Sequence, residues 1–445
     1  MEVPAFSFSD PIDVWNNAGQ NNVNVNVRGP LITTAPSTDQ VYLLLINNRH
    51  YNSLSQQYEQ GENIILANGA GSTWTPVTLP DQAVSAVEPA QLVFASDGTA
   101  FLTWQENREL YLSISTDGQN WSEPILIDSN VGNPFLLPDA MGNVSIVWQS
   151  VNNDSTIHLR RYLAGTGATA GLQAASLLSF ADRRLITSPI SDAQGNISVA
   201  WSSITATSQQ VTVSTFSDAS QWRTSTDALS IDAQNAKTQF QLTHGPANTL
   251  LLIAASVGTH QLFATLFSEE SGWQEWQNID QNQGTPDTLM STPQVRANAS
   301  GQVMVLWIEK TRDANGQAVH HLLSNTFSLV GTEPTWSTPQ LIGITFHPRL
   351  YASPVLQLAE DGSAMVAWID SSITQQVLRF NQYTPATGWS NQPVDLINYT
   401  GPDSGFMLNL NMGLTNTGKT LITWQQLIRS NRGGEFHIWA LEGNF

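Results

Sequence analysis

The sequence predicts an all-β fold, a single β-propeller of four-stranded antiparallel blades, on three observations. The first is a repeat: Asp97-Gly98-Thr99-Ala100-Phe101-Leu102-Thr103-Trp104 joins a tight turn to alternating apolar residues and ends on Trp. It returns as Gly142 to Trp148, Gly195 to Trp201, Gly301 to Trp307, Gly362 to Trp368 and Gly418 to Trp424, with weaker copies at Gln40 to Ile46 and Asn248 to Ala254. A turn followed by period-two alternation signals a β-hairpin, and a fixed recurrence outranks any local reading. The second is spacing: the aligned positions 46, 104, 148, 201, 254, 307, 368 and 424 recur at the length of a four-strand blade. The third is a mismatch between the ends. The last unit has a hairpin (Met407 to Trp424) and a third strand (Glu435 to Leu441) but no outer strand before Phe445, while Phe8 to Val14 is a strand without a unit.

Joining the two ends removes the open sheet edges that an unclosed array would present to other chains. The expected domain is therefore one propeller over 1–445, with blades at 29–79, 88–127, 133–178, 187–231, 237–279, 290–342, 351–397 and 405–445 plus 8–14. Seven blades is the alternative, if the copy at Asn248 is not a blade or the first unit is partial. Within each blade the hairpin supplies two strands and a stretch such as Glu109 to Thr116 supplies the third. The fourth is a repeated Trp-led element, seen in Trp74 to Val77, Trp121 to Ile127, Trp336 to Ile342 and Trp389 to Ile397. A Pro near the start of most of these suits an edge strand, where a missing N–H forfeits no ladder bond.

Twelve of the fifteen Trp fall into this register: 104, 148, 201, 307, 368 and 424 end second strands, and 74, 121, 222, 273, 336 and 389 begin fourth strands. Recurrence at both positions reads as packing between blades rather than sugar stacking. Trp15, Trp276 and Trp439 lie outside both series and are freer for another role.

The composition narrows the function. Hydrophobic residues make up 41% and charged residues 12%, ample for a core and unlike a disordered chain. With 36 acidic against 17 basic residues, the formal net charge of -19 disfavours nucleic acid and anionic membrane surfaces as partners. No apolar run reaches the length of a membrane span, so no membrane insertion is expected. The absence of cysteine excludes disulfides and thiolate metal sites and suits an exported bacterial protein as well as a cytosolic one. The expected location is secreted or at a bacterial cell surface, although Met1 to Asp10 has neither the basic nor the apolar region of a signal peptide.

Gly413 to Thr420 matches the phosphate-loop pattern letter for letter, yet Thr420 to Trp424 is the repeated strand where a helix is required. It reads as a hairpin turn, and no cofactor is expected. Asp139 to Asn143 and Asp192 to Asn196 have the look of calcium loops but coincide with the same first turn. His320 and His321 are adjacent in a strand and point to opposite faces, so no metal site is expected.

Ser115-Thr116-Asp117-Gly118-Gln119-Asn120-Trp121 resembles the Asp-box (BNR repeat) of sialidase-like β-propellers, one residue short between Asp and Trp. Degraded copies occupy Ser217 to Trp222, Ser268 to Trp273 and Thr384 to Trp389. In that family the box is structural, which makes Asp117 a fold marker. Asn26 to Leu31 is similar to the segment that supplies a carboxylate-binding Arg in sialidases, with Gly29 in place of Ile, so the resemblance implies a ligand role for Arg28.

Propeller function gathers in the loops between blades and between second and third strands. Arg28, Arg184, Arg349 and Tyr351 lie in or next to the former, and Glu106, Glu309 and Asp370 lie next to the latter. These seven are the expected ligand-binding residues. No complete catalytic set can be assembled from them, so the first reading is a non-catalytic scaffold that recognises a glycan or a protein. The resemblance implies an alternative, an exo-glycoside hydrolase in which Arg28, Arg184 and Arg349 hold an acid and Tyr351 works with Glu309 or Asp370. A structural surface or assembly component is the third reading.

Overall fold

The computed structural model describes the chain outside residues 1–7, 17–21, 24–26, 36–39, 48, 53–56, 61–63, 69–72, 80–89, 151–152, 165–171, 180–183, 226–228, 233–235, 257–260, 282–292, 313–314, 317, 331–332, 346–352, 372–374, 401–405, 416, 431–432 and 445. The described residues are all-β and fold into antiparallel sheets of four or more strands, consistent with a propeller. In chain order these first to eighth sheets occupy 27–77, 91–129, 131–179, 184–232, 237–278, 294–345, 355–400, and 406–444 with 12–16. A separate three-stranded sheet pairs Asn22–Val23 with Arg49–Asn52 and the latter with Gln57–Gln60. It rises from the connection between the second and third strands of the first sheet.

The repeated turn is built the same way each time. Gly98, Gly142, Gly195, Gly301, Gly362 and Gly418 all take φ between 77° and 89°, a region closed to residues with a Cβ, which is why the turn keeps its Gly. In the fifth sheet Ala247 and Asn248 adopt positive φ instead, which explains the weak copy there. Carboxylates fill these turns with amide bonds. Asp192 Oδ1 accepts from the N–H groups of Gln194 and Asn196 at 3.0 and 2.8 Å, and its Oδ2 accepts from Asn196 Nδ2 at 2.7 Å. The phosphate-loop lookalike is another of these turns, closed by Thr415 N–H to Lys419 C=O at 2.9 Å and followed by a strand.

Both faces of each sheet are apolar, so every sheet needs a neighbour on either side. The described core accordingly forms clusters that each draw on two sheets, consecutive in the chain except for one that joins the first sheet to the eighth. The six second-strand Trp are at most 2% exposed and wedge into the preceding sheet. Three of them also stack on the residue directly across the ladder: Trp104 on Tyr111, Trp148 on His158 and Trp424 on Trp439. Fourth-strand Trp pair with third-strand aromatics, as in Phe216–Trp222, Phe267–Trp273, Phe327–Trp336 and Tyr383–Trp389, with centroids 5.1 to 5.5 Å apart. Trp439, expected to be freer for another role, therefore packs on Trp424.

Three sequence expectations shift in detail. Val41, Leu43 and Leu45 face the eighth sheet, so Leu45 rather than Ile46 corresponds to Trp104. The fourth strands of the fourth to seventh sheets come in two pieces, such as Glu333–Trp336 with Gln340–Thr345 and Gly388–Trp389 with Val394–Thr400, and in the sixth and seventh a Pro, Pro339 or Pro393, lies at the break. The N-terminal strand runs Ile12–Asn16, with only a bridge from Phe8 to Gly443. It pairs with Gly433–Asn444 and makes the eighth sheet four-stranded. Asp13 Oδ2 lies 2.8 Å from His437 Nδ1, and Phe8 packs edge-on against Phe380 of the seventh sheet at 5.1 Å.

Innermost strands cannot ladder to one another, since each belongs to its own sheet, so side-chain amides join them. Gln91 donates to Pro134 C=O at 2.5 Å and accepts from Leu136 N–H at 3.0 Å. Gln294 donates to Pro354 C=O, and Gln357 donates to Met412 C=O at 2.6 Å. A Pro at the start of the innermost strand, Pro134 or Pro354, is thus the carbonyl acceptor in two junctions. These innermost strands touch in series from the first sheet to the eighth, and Phe406–Leu414 touches Val27–Ala35.

Replacing Trp307 by Ala should destabilise the fold by about 3–5 kcal/mol, as for a fully buried indole; a loss under about 1 kcal/mol in urea unfolding would contradict the wedge role. Asp117 is held well below the usual carboxyl range, first by the Asn120 backbone N–H, then by the Asn120 side chain, the Gln119 N–H and Ser115. A lowered folded value contributes stability above the ordinary carboxyl range that is lost as pH falls. Asp117→Ala should therefore lower the melting temperature at neutral pH, with the gap to wild type closing in acid; a gap that persists in acid would contradict this.

Candidate functional site

Hairpin geometry places the starts of the first strands, the ends of the second and the ends of the fourth at one end of every sheet. All the sequence-predicted residues that the structure describes lie at that end. Arg28 is in the innermost strand of the first sheet, paired through its backbone with Ile46 at the foot of the three-stranded extension. Arg184 begins the innermost strand of the fourth sheet, opposite Ser202. Arg349 and Tyr351 lie outside the described residues.

Glu106, Glu309 and Asp370 occupy the same register position, two residues past the second-strand Trp, in the second, sixth and seventh sheets. Their surroundings differ. Glu106 ends its strand at a two-residue turn in which Asn107 and Arg108 take φ of 52° and 68°. Across that turn Glu109 accepts a hydrogen bond from Tyr111 Oη at 2.6 Å. That bond, with burial and the charges of Glu109 and Glu106, raises the Tyr111 phenol, the opposite of what a tyrosinate nucleophile needs.

Glu309 is half-buried, and burial together with the charge of Asp280 at the end of the fifth sheet raises its carboxyl above the usual range. Asp370 is buried and committed. Its Oδ2 receives Arg379 Nη1 at 2.7 Å and its Oδ1 receives Thr345 Oγ1 at 3.1 Å, while Arg379 Nε binds Asp395 at 2.9 Å. This network ties the seventh sheet to Gln340–Thr345 of the sixth. Asp370, expected to bind ligand, is held in a network that joins two sheets.

Sequence reasoning missed Lys237, the first residue of an innermost strand, because one lysine at a strand start carries no pattern. Its backbone is held on both sides by the Gln209 amide, which accepts from Lys237 N–H at 2.8 Å and donates to its C=O at 3.2 Å. The same device recurs where Gln376 accepts Met407 N–H at 2.6 Å and where Gln105 donates to Val131 C=O at 2.7 Å. Amide clamps therefore fix where innermost strands begin, which sets the positions of the cations they carry.

No protein-family profile matches the sequence, and no curated protein is similar to it. Among solved structures, the chain is similar to the β-propeller domain of Nup133 from Vanderwaltozyma polyspora, with 12% identity, 80% of this chain and 93% of that chain covered and a TM-score of 0.45. It is similar to the polysaccharide lyase Uly1, with 11% identity, coverage of 84% and 91% and a TM-score of 0.41. It is also similar to an exo-β-1,3-galactanase from Clostridium thermocellum, with 10% identity, coverage of 83% and 98% and a TM-score of 0.31. Likeness of this degree carries no argument about activity, which rests on the residues themselves.

A carboxyl raised in the folded state costs stability when ionised, and that cost disappears as pH falls below the ordinary carboxyl range. Glu309→Gln should raise the melting temperature at pH about 7 and change it little at pH about 3.5. An equal shift at both would contradict the burial argument.

Proposed function

We propose that the chain is a closed eight-bladed β-propeller, its last blade completed by the N-terminal strand, that serves as a non-catalytic binding protein for a glycan. Support for closure comes from the pairing of Ile12–Asn16 with Gly433–Asn444 and from the unbroken series of contacts between innermost strands. The Ser115 to Trp121 turn, with the Ser217/Ser220, Ser268/Ser271 and Thr384/Thr387 hydroxyl pairs at 2.6 to 2.7 Å in the equivalent turns, supports kinship with Asp-box propellers. The proposed place of work is outside the cell or on its surface.

The observation that carries the binding reading is the placement of cations. In a chain of net charge -19, Arg28, Arg184 and Lys237 all stand within the first two residues of innermost strands, at one end of the sheets. Guanidinium and ammonium donors carried at strand starts suit recognition of hydroxyl- and carboxylate-bearing ligands. Catalysis is less well supported, because Asp370 is tied to Arg379 and Thr345 and Asp117 to its turn. The hydrolase reading retains one favourable observation, the raised carboxyl of Glu309, which suits a proton donor.

On a glycan array the protein should bind a defined subset, and Arg28→Ala and Arg184→Ala should each weaken binding by about tenfold or more at an unchanged melting temperature. Binding that neither substitution alters would contradict the proposed site. Binding only to extracellular proteins would move the reading to a protein ligand. Turnover of a fluorogenic sialoside that Glu309→Gln abolishes would replace it with the hydrolase.

A further inference from the structure

The junction between the fourth and fifth sheets holds a lysine that packing alone does not explain. Lys237 is 6% exposed, yet among the described residues no carboxylate pairs with it, in a chain with 36 acidic residues against 17 basic ones. Its Nζ lies 3.8 Å from the centroid of Phe263 and 5.8 Å from that of Trp276, so two aromatic faces hold the ammonium. Burial also pushes this amine below its ordinary value, so the fold keeps the group at some expense.

Three further side chains belong to this junction. Ser256, directly opposite across the ladder, is 5% exposed. Ser202 is 5% exposed, and among the described residues its buried Oγ has no hydrogen-bond partner. It stands two residues past Ala200, which packs into the cluster shared by the fourth and fifth sheets, and its strand position puts it opposite Arg184. Trp276 belongs to the same cluster, and its buried Nε1 likewise lacks a partner among the described residues. A buried ammonium and a buried hydroxyl therefore face the junction of the fourth and fifth sheets, the ammonium beside the Trp276 indole. Buried polar groups left this way are rare unless something else completes them.

We infer that this junction is a subsite for a carboxylate-bearing sugar, with Lys237 and Ser202 as donors to the carboxylate and Trp276 against the apolar face of the ring. Resting on the glycan-binding reading, it names the chemistry of the ligand. A carboxylate accepts from an ammonium and a hydroxyl at once, and the pair is strengthened by its low-dielectric setting. The aromatic walls favour a ring over a bare anion.

With only Lys237, Lys310 and Lys419 in the chain, side-chain NMR of lysine labelled with carbon-13 at Cε resolves the three groups directly. Titration with D-glucuronate should move the Lys237 signal saturably, D-glucose should leave it in place, and acetate should act more weakly than glucuronate. Lys237→Met should weaken glucuronate binding by about tenfold to a hundredfold, as for loss of a charge-assisted hydrogen bond, while the melting temperature holds or rises. Ser202→Ala, a milder change, should weaken it by a smaller factor. Equal response of all three lysines, or none, would overturn the subsite, as would a Lys237→Met variant that folds and keeps its glucuronate affinity. If Lys237 responds but the array shows no glycan binding, the subsite stands and the broader reading falls; if the array binds glycans while Lys237 stays silent, the reverse holds.

Discussion

Burial between sheets is the constraint on which the rest depends. A four-stranded sheet with two apolar faces has no solvent side, so it is stable only between neighbours, and a linear stack would leave its first and last faces bare. The second-strand Trp meets this need by reaching into the preceding sheet, where the indole fills a gap that smaller residues would leave open. The same requirement explains why Phe8 and Val14, far from the last sheet in sequence, pack against it and its neighbours in space.

A second constraint comes from the innermost strands. Each uses one edge in its own sheet and has no ladder partner on the other, and the resulting unpaired groups are satisfied by glutamine amides from the preceding sheet. These bonds act laterally where hydrophobic wedges act radially. Because Gln105, Gln209 and Gln376 also fix the beginnings of innermost strands, the framework that joins the sheets orients the end where ligand chemistry is expected. Scaffold and proposed site are therefore linked through the same amides. Carboxylates divide accordingly: Asp117, Asp192 and Asp370 are saturated by local donors, while Glu309 sits where burial and a second carboxylate disfavour its charge.

Much of this was legible in the sequence because repetition amplifies weak signals. One Gly-to-Trp hairpin is ambiguous, but its recurrence identified the second strand, reduced the Gly413 to Thr420 phosphate-loop match to a turn and assigned most Trp to packing. Legibility failed where the repeat decays. Without a Gly or Trp to anchor the first sheet, the alignment slipped by one residue to Ile46, which reverses the face assigned to every residue in the strand. The site was less readable still. Asp370 looked available because its partner Arg379 lies across the ladder from Trp368, a relation set by register that spacing does not reveal. Lys237 was invisible for the opposite reason, since its lack of an acidic partner among the described residues is a property of the fold.

The central claim is that the N-terminal strand completes a single cooperative ring. Removing residues 1–16 and following the protein by hydrogen exchange and thermal unfolding tests it directly. If the claim holds, the truncated protein loses amide protection along Gly433–Asn444 and melts at a lower temperature throughout, since the faces of the seventh, eighth and first sheets are exposed together. Unchanged protection along Gly433–Asn444 with the full-length melting temperature would contradict it.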